Sequence, residues 1–185
     1  TKLFHTIEGG ALITQNEELA HRFSYLRNFG HKGQEDFWGL GINAKNSEFH
    51  AAMGLCVLPH ISTIIQKRKM LSDLYDSLLL KDSLKIRRPT LPDNTEYNYA
   101  YYPVVFTDEK TVLSVRDSLN ADFVYPRRYF YPSLSSLNYV KQCSVPVSES
   151  ISSRVLCLPL YYDLTDEQVN TVVMALKKAL DKVAG

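Results

Sequence analysis

Hydrophobic positions along the chain follow a helical period in the first half and shift to short strand-like runs in the second. Leu19, Phe23 and Leu26 fall at near-helical spacing behind Asn16, a residue suited to cap a helix, with Glu17 and Glu18 in the first turn. The pattern predicts a helix from Asn16 to about Asn28, stopped by Gly30 in the left-handed conformation. The apolar run before it, residues 11–14, reads as a strand. Residues 31–41 are polar and glycine-rich, a loop that Phe37 and Trp38 can anchor, including against a second subunit.

Ser47 and Glu48 open a long helical pattern that runs to about Lys81, with Pro59 kinking or dividing it. In its second part Ile61, Ile64, Ile65, Met70, Leu71, Leu74, Tyr75 and Leu78 can share an apolar face, while residues 66–69 stay in water. This stretch reads as a bridge between domains. Beyond it the runs predict strands at 84–88, 97–106, 123–128 and 155–158 and helices at 110–120 and 166–183. In the last helix Val169, Val172, Val173, Leu176, Leu180 and Val183 line one side, a face for packing on a sheet. The class is α/β or α+β.

Composition adds limits. A chain of 185 residues with 45% hydrophobic and 22% charged residues reads as folded and globular, with room for one sizeable core or two small ones. A net charge of +1, without a basic stripe, gives no electrostatic case for nucleic acid or an anionic membrane, and favours small-molecule or protein partners. No run has the unbroken apolar length of a membrane span, and the start lacks a signal-peptide pattern. Cys56, Cys143 and Cys157 lack metal-ligand spacing, and Cys56 and Cys157 stand in apolar stretches where a thiol packs as a small hydrophobe. A reducing cytoplasm is the expected home. The five histidines form no metal cluster in sequence: His21, His50 and His60 fall on helical segments, while His5 and His31 stand near the candidate chemistry.

Three places can carry chemistry. Lys2 lies ahead of a Glu8-Gly9-Gly10 turn, and a lysine amine can attack a carbonyl if a pocket lowers its pKa; the plainer reading is an exposed lysine on a tail. Asn43, between Gly41 and the Ser47 helix, is either a turn residue or a neutral amide donor. In Arg127-Arg128-Tyr129-Phe130-Tyr131-Pro132-Ser133-Leu134 the arginines suit a diphosphate and the tyrosine a base or sugar, although a surface loop with a packed aromatic has the same composition.

The stretch Thr1-Lys2-Leu3-Phe4-His5-Thr6-Ile7-Glu8-Gly9-Gly10-Ala11-Leu12-Ile13-Thr14 resembles the cofactor-lysine signature of the sugar-nucleotide aminotransferases of the DegT/StrS type. A second block, from Gly41-Ile42-Asn43-Ala44-Lys45 into Glu48-Phe49-His50-Ala51-Ala52, is similar to that family's glycine-x-asparagine loop and following helix. A third, Val155-Leu156-Cys157-Leu158-Pro159-Leu160-Tyr161 with Leu164-Thr165-Asp166-Glu167-Gln168, resembles its closing strand and final helix.

The resemblance implies the aspartate aminotransferase-like fold type I, with residues 1–46 ending the large domain, 47–82 bridging and 83–185 forming the small domain. It implies that Lys2 holds pyridoxal 5'-phosphate and transfers a proton, whereas family dehydratases carry histidine there. Asn43 would reach across a dimer interface to the phosphate bound by the neighbouring subunit. Lys45 stands where common members carry arginine and lacks the planar fork. His31, Arg127, Arg128 and Tyr129 would face substrate, although Ser135 replaces a frequent histidine. Because the family lysine lies near mid-polypeptide and here is residue 2, the chain is expected to be the C-terminal portion of an enzyme, inactive alone, whose upstream half holds the rest of the site. The whole would be a cytoplasmic homodimer moving an amino group from glutamate to a dTDP-linked keto-6-deoxyhexose, such as dTDP-4-keto-6-deoxyglucose, for polysaccharide or another glycosylated product. The rival expectation is a stand-alone binding or assembly module without catalysis.

Overall fold

Capping residues set where the helices begin. The computed structural model describes residues 2–79, 84–141 and 143–184. Asn16 accepts a hydrogen bond from the Leu19 amide at 3.0 Å and starts α1, Glu17–Leu26, while Ser47 accepts from the His50 amide and starts α2, Glu48–Val57. A 3₁₀ turn at Leu58–His60, with Pro59 in it, leads into α3, Ile61–Leu79. The expected end of α3 near Lys81, and with it the boundary at residue 82, lies outside the described residues.

The chain packs as two compact units, Lys2–Ser62 and the residues from Thr63 onward. In the first unit only Gly30 and Gly54 are buried among the described residues. The 11–14 run forms no strand, and Ile13 is 94% exposed. A strand needs a neighbour with which to exchange hydrogen bonds, and none lies beside this segment among the described residues. Cys56 is likewise exposed, contrary to its apolar neighbourhood, because the whole outer side of α2, including Phe49 and Leu55, stands open. By length and composition Glu48–Leu79 passes for a membrane span, with a mean hydropathy of 1.3 over its best window. On length and composition this corrects the expectation that no run is long enough, since Leu58 and Ile61 on either side of Pro59 keep right-handed helical backbone.

The second unit contains the core. Strands β1, Tyr102–Val105, and β2, Val155–Leu158, pair antiparallel with Tyr102 opposite Leu158 and Val104 opposite Leu156. These four side chains share one face. They belong to a core completed by Leu71 and Tyr75 of α3, by Val112, Val115 and Leu119 of α4, Glu109–Ala121, and by Val169, Val173 and Leu176 of α6, Asp166–Ala184. Asp108 caps α4 by accepting from the Thr111 amide at 2.8 Å, and Thr165 with Gln168 forms a reciprocal capping box at the start of α6. The predicted face of α6 is buried through Leu176, and Val183 at its end is open.

The other expected strands shrink to single bridges on the two edges of this sheet, Arg87 with Val105 and Arg127 with Cys157. Local geometry explains the loss. Tyr99 has a φ of +53°, and the Asn98 side chain accepts from the Ala100 amide, so the 97–106 run bends before Tyr102. Phe123 has a φ of +58° and finishes the end of α4, and Pro126 has no amide to donate. A helix not anticipated from the pattern, α5 at Pro146–Arg154, runs directly into β2. Nor do residues 66–69 all stay in water: Arg68 is 6% exposed, donates to the carbonyls of Tyr99 and Ala100 at 3.2 and 2.8 Å, and has its pKa lowered by that burial.

Burial also raises the pKa of Tyr75 and Tyr102 and pushes the Cys157 thiol up to about 11. For a group whose folded pKa exceeds its unfolded one, the stabilisation is complete below the unfolded value and disappears as pH rises toward the folded value. The thermal midpoint of the second unit is therefore expected to fall as pH rises from about 9 to about 11. Cys157→Ala should flatten the lower part of that decline, and an unchanged slope would contradict the role given to the thiol.

Candidate active site

Lys2 stands at one end of a turn that α2 holds from beneath. The turn lines a concavity of about 280 Å³ with Lys2, Phe4, His5, Thr6, Glu8 and Asn46 among its walls. Gly54 of α2 allows the close approach, since a Cβ there would meet Thr6 Cγ2 at 2.9 Å. The Lys2 side chain is exposed, so its amine is accessible to a carbonyl. A larger concavity of about 720 Å³ adjoins residues 10–14 and α1, but among the described residues that line it Arg27 alone is ionisable. The chemistry is therefore assigned to the smaller site.

The loop after α1 folds back on that helix. Gly30, at φ +78°, brings its Cα against the Gly39 carbonyl, where a Cβ would stand 1.8 Å from the oxygen. His31 bridges to Phe37 and stacks on its ring at 4.9 Å, and its Nδ1 is buried without a hydrogen-bond partner. Trp38 reaches His21 and Tyr25 of α1, so the anchoring expected of Phe37 and Trp38 occurs within this unit. Asn43 follows, pinned to the end of α1 by hydrogen bonds from Phe29 N to Ile42 O and from Ala44 N to Arg27 O. Its side chain is exposed, and Lys45 Nζ donates to its Oδ1 at 2.5 Å while lying over the Phe29 ring. Lys2 and Asn46 share the small concavity, whereas Asn43 is not among its walls.

Arg127, Arg128 and Tyr129 lie in the second unit. Arg127 exchanges two backbone hydrogen bonds with Cys157, at 3.0 and 2.7 Å, and its exposed guanidinium stands 5.8 Å over the Tyr129 ring. Tyr129 stacks on Phe130 and meets Tyr101 edge-on. Arg128 instead pairs with Glu109 at 2.7 Å. Sequence reading missed Asn46, which stands one residue before a helix cap, and Tyr101 and Glu109. Tyr97-x-Tyr99-x-Tyr101 was the available signal for an aromatic surface.

The matches to known proteins run across both units. The profile of the DegT/DnrJ/EryC1/StrS aminotransferase family matches residues 1–177. A dTDP-4-amino-4,6-dideoxy-D-glucose transaminase of Escherichia coli is 34% identical over 177 residues, covering 91% of this chain and 47% of that protein. The Shigella dysenteriae protein of the same name is 30% identical over 184 residues, 96% of this chain and 50% of its own. Among solved structures, DesI in the presence of its TDP-sugar product superposes with a TM-score of 0.82 at 28% identity, over 100% of this chain and 49% of that one. The aminotransferase TlmJ from Streptoalloteichus hindustanus has a TM-score of 0.83 at 24% identity over 92% of this chain and 47% of its own, which supports the fold. The chain spans about half the length of the curated relatives it matches. With the lysine turn, the asparagine loop and the closing strand all inside the matched region, the chain belongs to the DegT/DnrJ/EryC1/StrS aminotransferase family.

Proposed function

We propose that this chain is the C-terminal half of a pyridoxal-phosphate aminotransferase that converts a keto group of a dTDP-linked deoxysugar to an amine, with glutamate as donor. The observation that carries the reading is Lys2 on its turn: an exposed primary amine beside a concavity whose other polar walls include His5, Thr6 and Asn46. That donor set fits an aldehyde-bearing cofactor at its reactive end, with one nucleophilic amine, hydrogen-bonding groups on His5, Thr6 and Asn46, and the Glu8 carboxylate in the same wall. A volume of about 280 Å³ is small for a whole cofactor with substrate. The rest of the pocket then belongs to the half of the polypeptide that precedes Lys2 in relatives and to a second subunit.

When bound, pyridoxal phosphate supplies the electron sink that makes an amino acid's α-proton removable. Lys2 Nζ would hold the cofactor, and the same amine, when free of it, would serve as the base that moves the proton at the donor carbon and at the sugar carbon. Overall, one water supplies the keto oxygen with which glutamate leaves as 2-oxoglutarate, and one water carries away the sugar's keto oxygen, so amino and keto groups are exchanged with no net water. Asn43 serves the neighbouring subunit's site: Lys45 holds the amide oxygen, which leaves the amide nitrogen to donate to a phosphate without adding charge. His31 faces substrate from its stacked loop, and Arg127 with Tyr129 receives the nucleotide diphosphate. The proposed domain limits are 1–46, 47–82 and 83–185. We place the enzyme in the cytoplasm, a compartment that its three free cysteines fit, and read it as a homodimer without a nucleic-acid or membrane partner, since Leu71, Tyr75 and Leu79 of the apolar helix pack into the protein core.

The full-length polypeptide carrying this chain, given glutamate, pyridoxal phosphate and dTDP-4-keto-6-deoxyglucose, is expected to release 2-oxoglutarate and a dTDP-amino-dideoxyhexose detectable by mass spectrometry. Absence of amino sugar with every dTDP-keto-deoxyhexose offered would favour the non-catalytic module.

A further inference from the structure

Arg127 and Arg128 are adjacent in sequence and opposite in use. Successive side chains on an extended segment point to opposite sides, and the Arg127 backbone is held extended on the edge of the sheet by its paired bonds to Cys157. Arg127 consequently stays on the open side with Tyr129. Arg128 points toward the helices, where its side chain is 14% exposed.

There it meets two other segments of the chain and a ring of its own loop. Its Nη2 donates to Glu109 Oε1, in the first turn of α4, at 2.7 Å, and to the Ser153 carbonyl, near the end of α5, at 3.2 Å. Its guanidinium carbon lies over the Tyr131 ring, 3.5 Å from the ring centre. The Glu109 carboxylate is held below its ordinary pKa by the hydrogen bond from Arg128 and, less strongly, by one from Tyr131. Both of these hydrogen bonds run from Nη2, and Arg128 Nε is buried with no hydrogen-bond partner. A planar fork that both stacks and donates suits arginine and not lysine.

Resting on the functional reading above, we infer that Arg128 is a positioning residue: clamped between Glu109, the Ser153 carbonyl and the Tyr131 ring, it sets the 127–131 loop so that Arg127 and Tyr129 present one fixed surface to the nucleotide sugar. Arg128 itself does not touch the substrate. This divides the paired arginines that the sequence presents as equivalent.

The test uses the full-length enzyme and reads the KM for the sugar nucleotide, kcat, and the rate of the glutamate half-reaction separately. Arg127→Ala is expected to raise the sugar-nucleotide KM about ten-fold or more with the glutamate half-reaction unchanged. Glu109→Ala and Arg128→Gln should each raise the same KM several-fold, their double variant no further than either alone, and Arg128→Lys should not restore it. Glu109→Ala keeps the test decisive if Arg128→Gln fails to fold. If Arg127→Ala and Arg128→Gln raise KM while Glu109→Ala does not, Arg128 contacts substrate directly and the clamp is overturned. If Arg127→Ala leaves KM at its parent value, the substrate surface is elsewhere, and the nucleotide role given to this loop falls with the clamp.

Discussion

Lys2→Ala in the full-length enzyme is expected to lower turnover by about 10³-fold or more, because one amine is asked both to hold the cofactor and to move the proton. The stability of the fold should hardly change, since Lys2 is exposed and no described contact depends on it. The loss would therefore appear in kcat, while the sugar nucleotide still binds. Borohydride trapping with peptide mapping should label Lys2 in the parent and nothing at that position in the variant. Mixing Lys2→Ala subunits with Asn43→Ala subunits extends the test. If Asn43 acts across a dimer, half of the random dimers carry one intact site and one doubly damaged site, which restores about a quarter of the parent activity. Normal turnover by Lys2→Ala would remove the central claim. Failure to complement would place Asn43 in its own subunit's site or outside catalysis.

Tyr75→Ala is expected to cost about 3–5 kcal/mol, a large share of the about 5–15 kcal/mol that holds a typical domain folded. Tyr75 is fully buried, its ring centre stands 4.6 Å from that of Tyr102, and its hydroxyl donates to the Pro159 carbonyl at 3.0 Å. It thereby ties α3 to the segment that follows β2. Tyr102 continues the chain of contacts, donating to Asp76 Oδ1 at 2.6 Å beneath the Arg88 guanidinium, which lies 3.6 Å from its ring centre. Removing the Tyr75 ring leaves a cavity and an unpaired carbonyl together. Tyr75→Phe keeps the ring and should cost about 1–3 kcal/mol for the carbonyl alone. Urea denaturation followed by far-ultraviolet circular dichroism measures both. A Tyr75→Ala protein within about 1 kcal/mol of its parent would show that α3 does not close this core.

Arg68 shows why some of this was hidden in the sequence. Its neighbours Gln66, Lys67 and Lys69 mark a wet face, and helical spacing alone cannot tell that one long side chain will turn inward. The carbonyls of Tyr99 and Ala100, 31 and 32 residues away, supply its partners, because the positive φ of Tyr99 turns that backbone toward α3. The strands failed for a related reason. Val155–Leu158 is a strand in sequence and in structure because it is apolar throughout and has β1 beside it. The 11–14 run, apolar as far as Ile13, has no neighbour among the described residues with which to pair.

What the sequence determined by itself was local or chemical: Asn16 and Ser47 as helix starts, a last helix from residue 166 with its 3.6-residue face, and the lysine and asparagine blocks that carry the family. These depend on residues a few positions apart, so their physics is complete in a short window. Only the tertiary structure decided that Arg127 remains open while Arg128 is spent on Glu109, that Asn46 and not Asn43 shares the concavity of Lys2, and that Cys157 is buried while Cys56 is not. Each of those outcomes depends on what a distant segment brings to the same place, and a side chain's partners across such distances are set by packing, not by its neighbours in the chain.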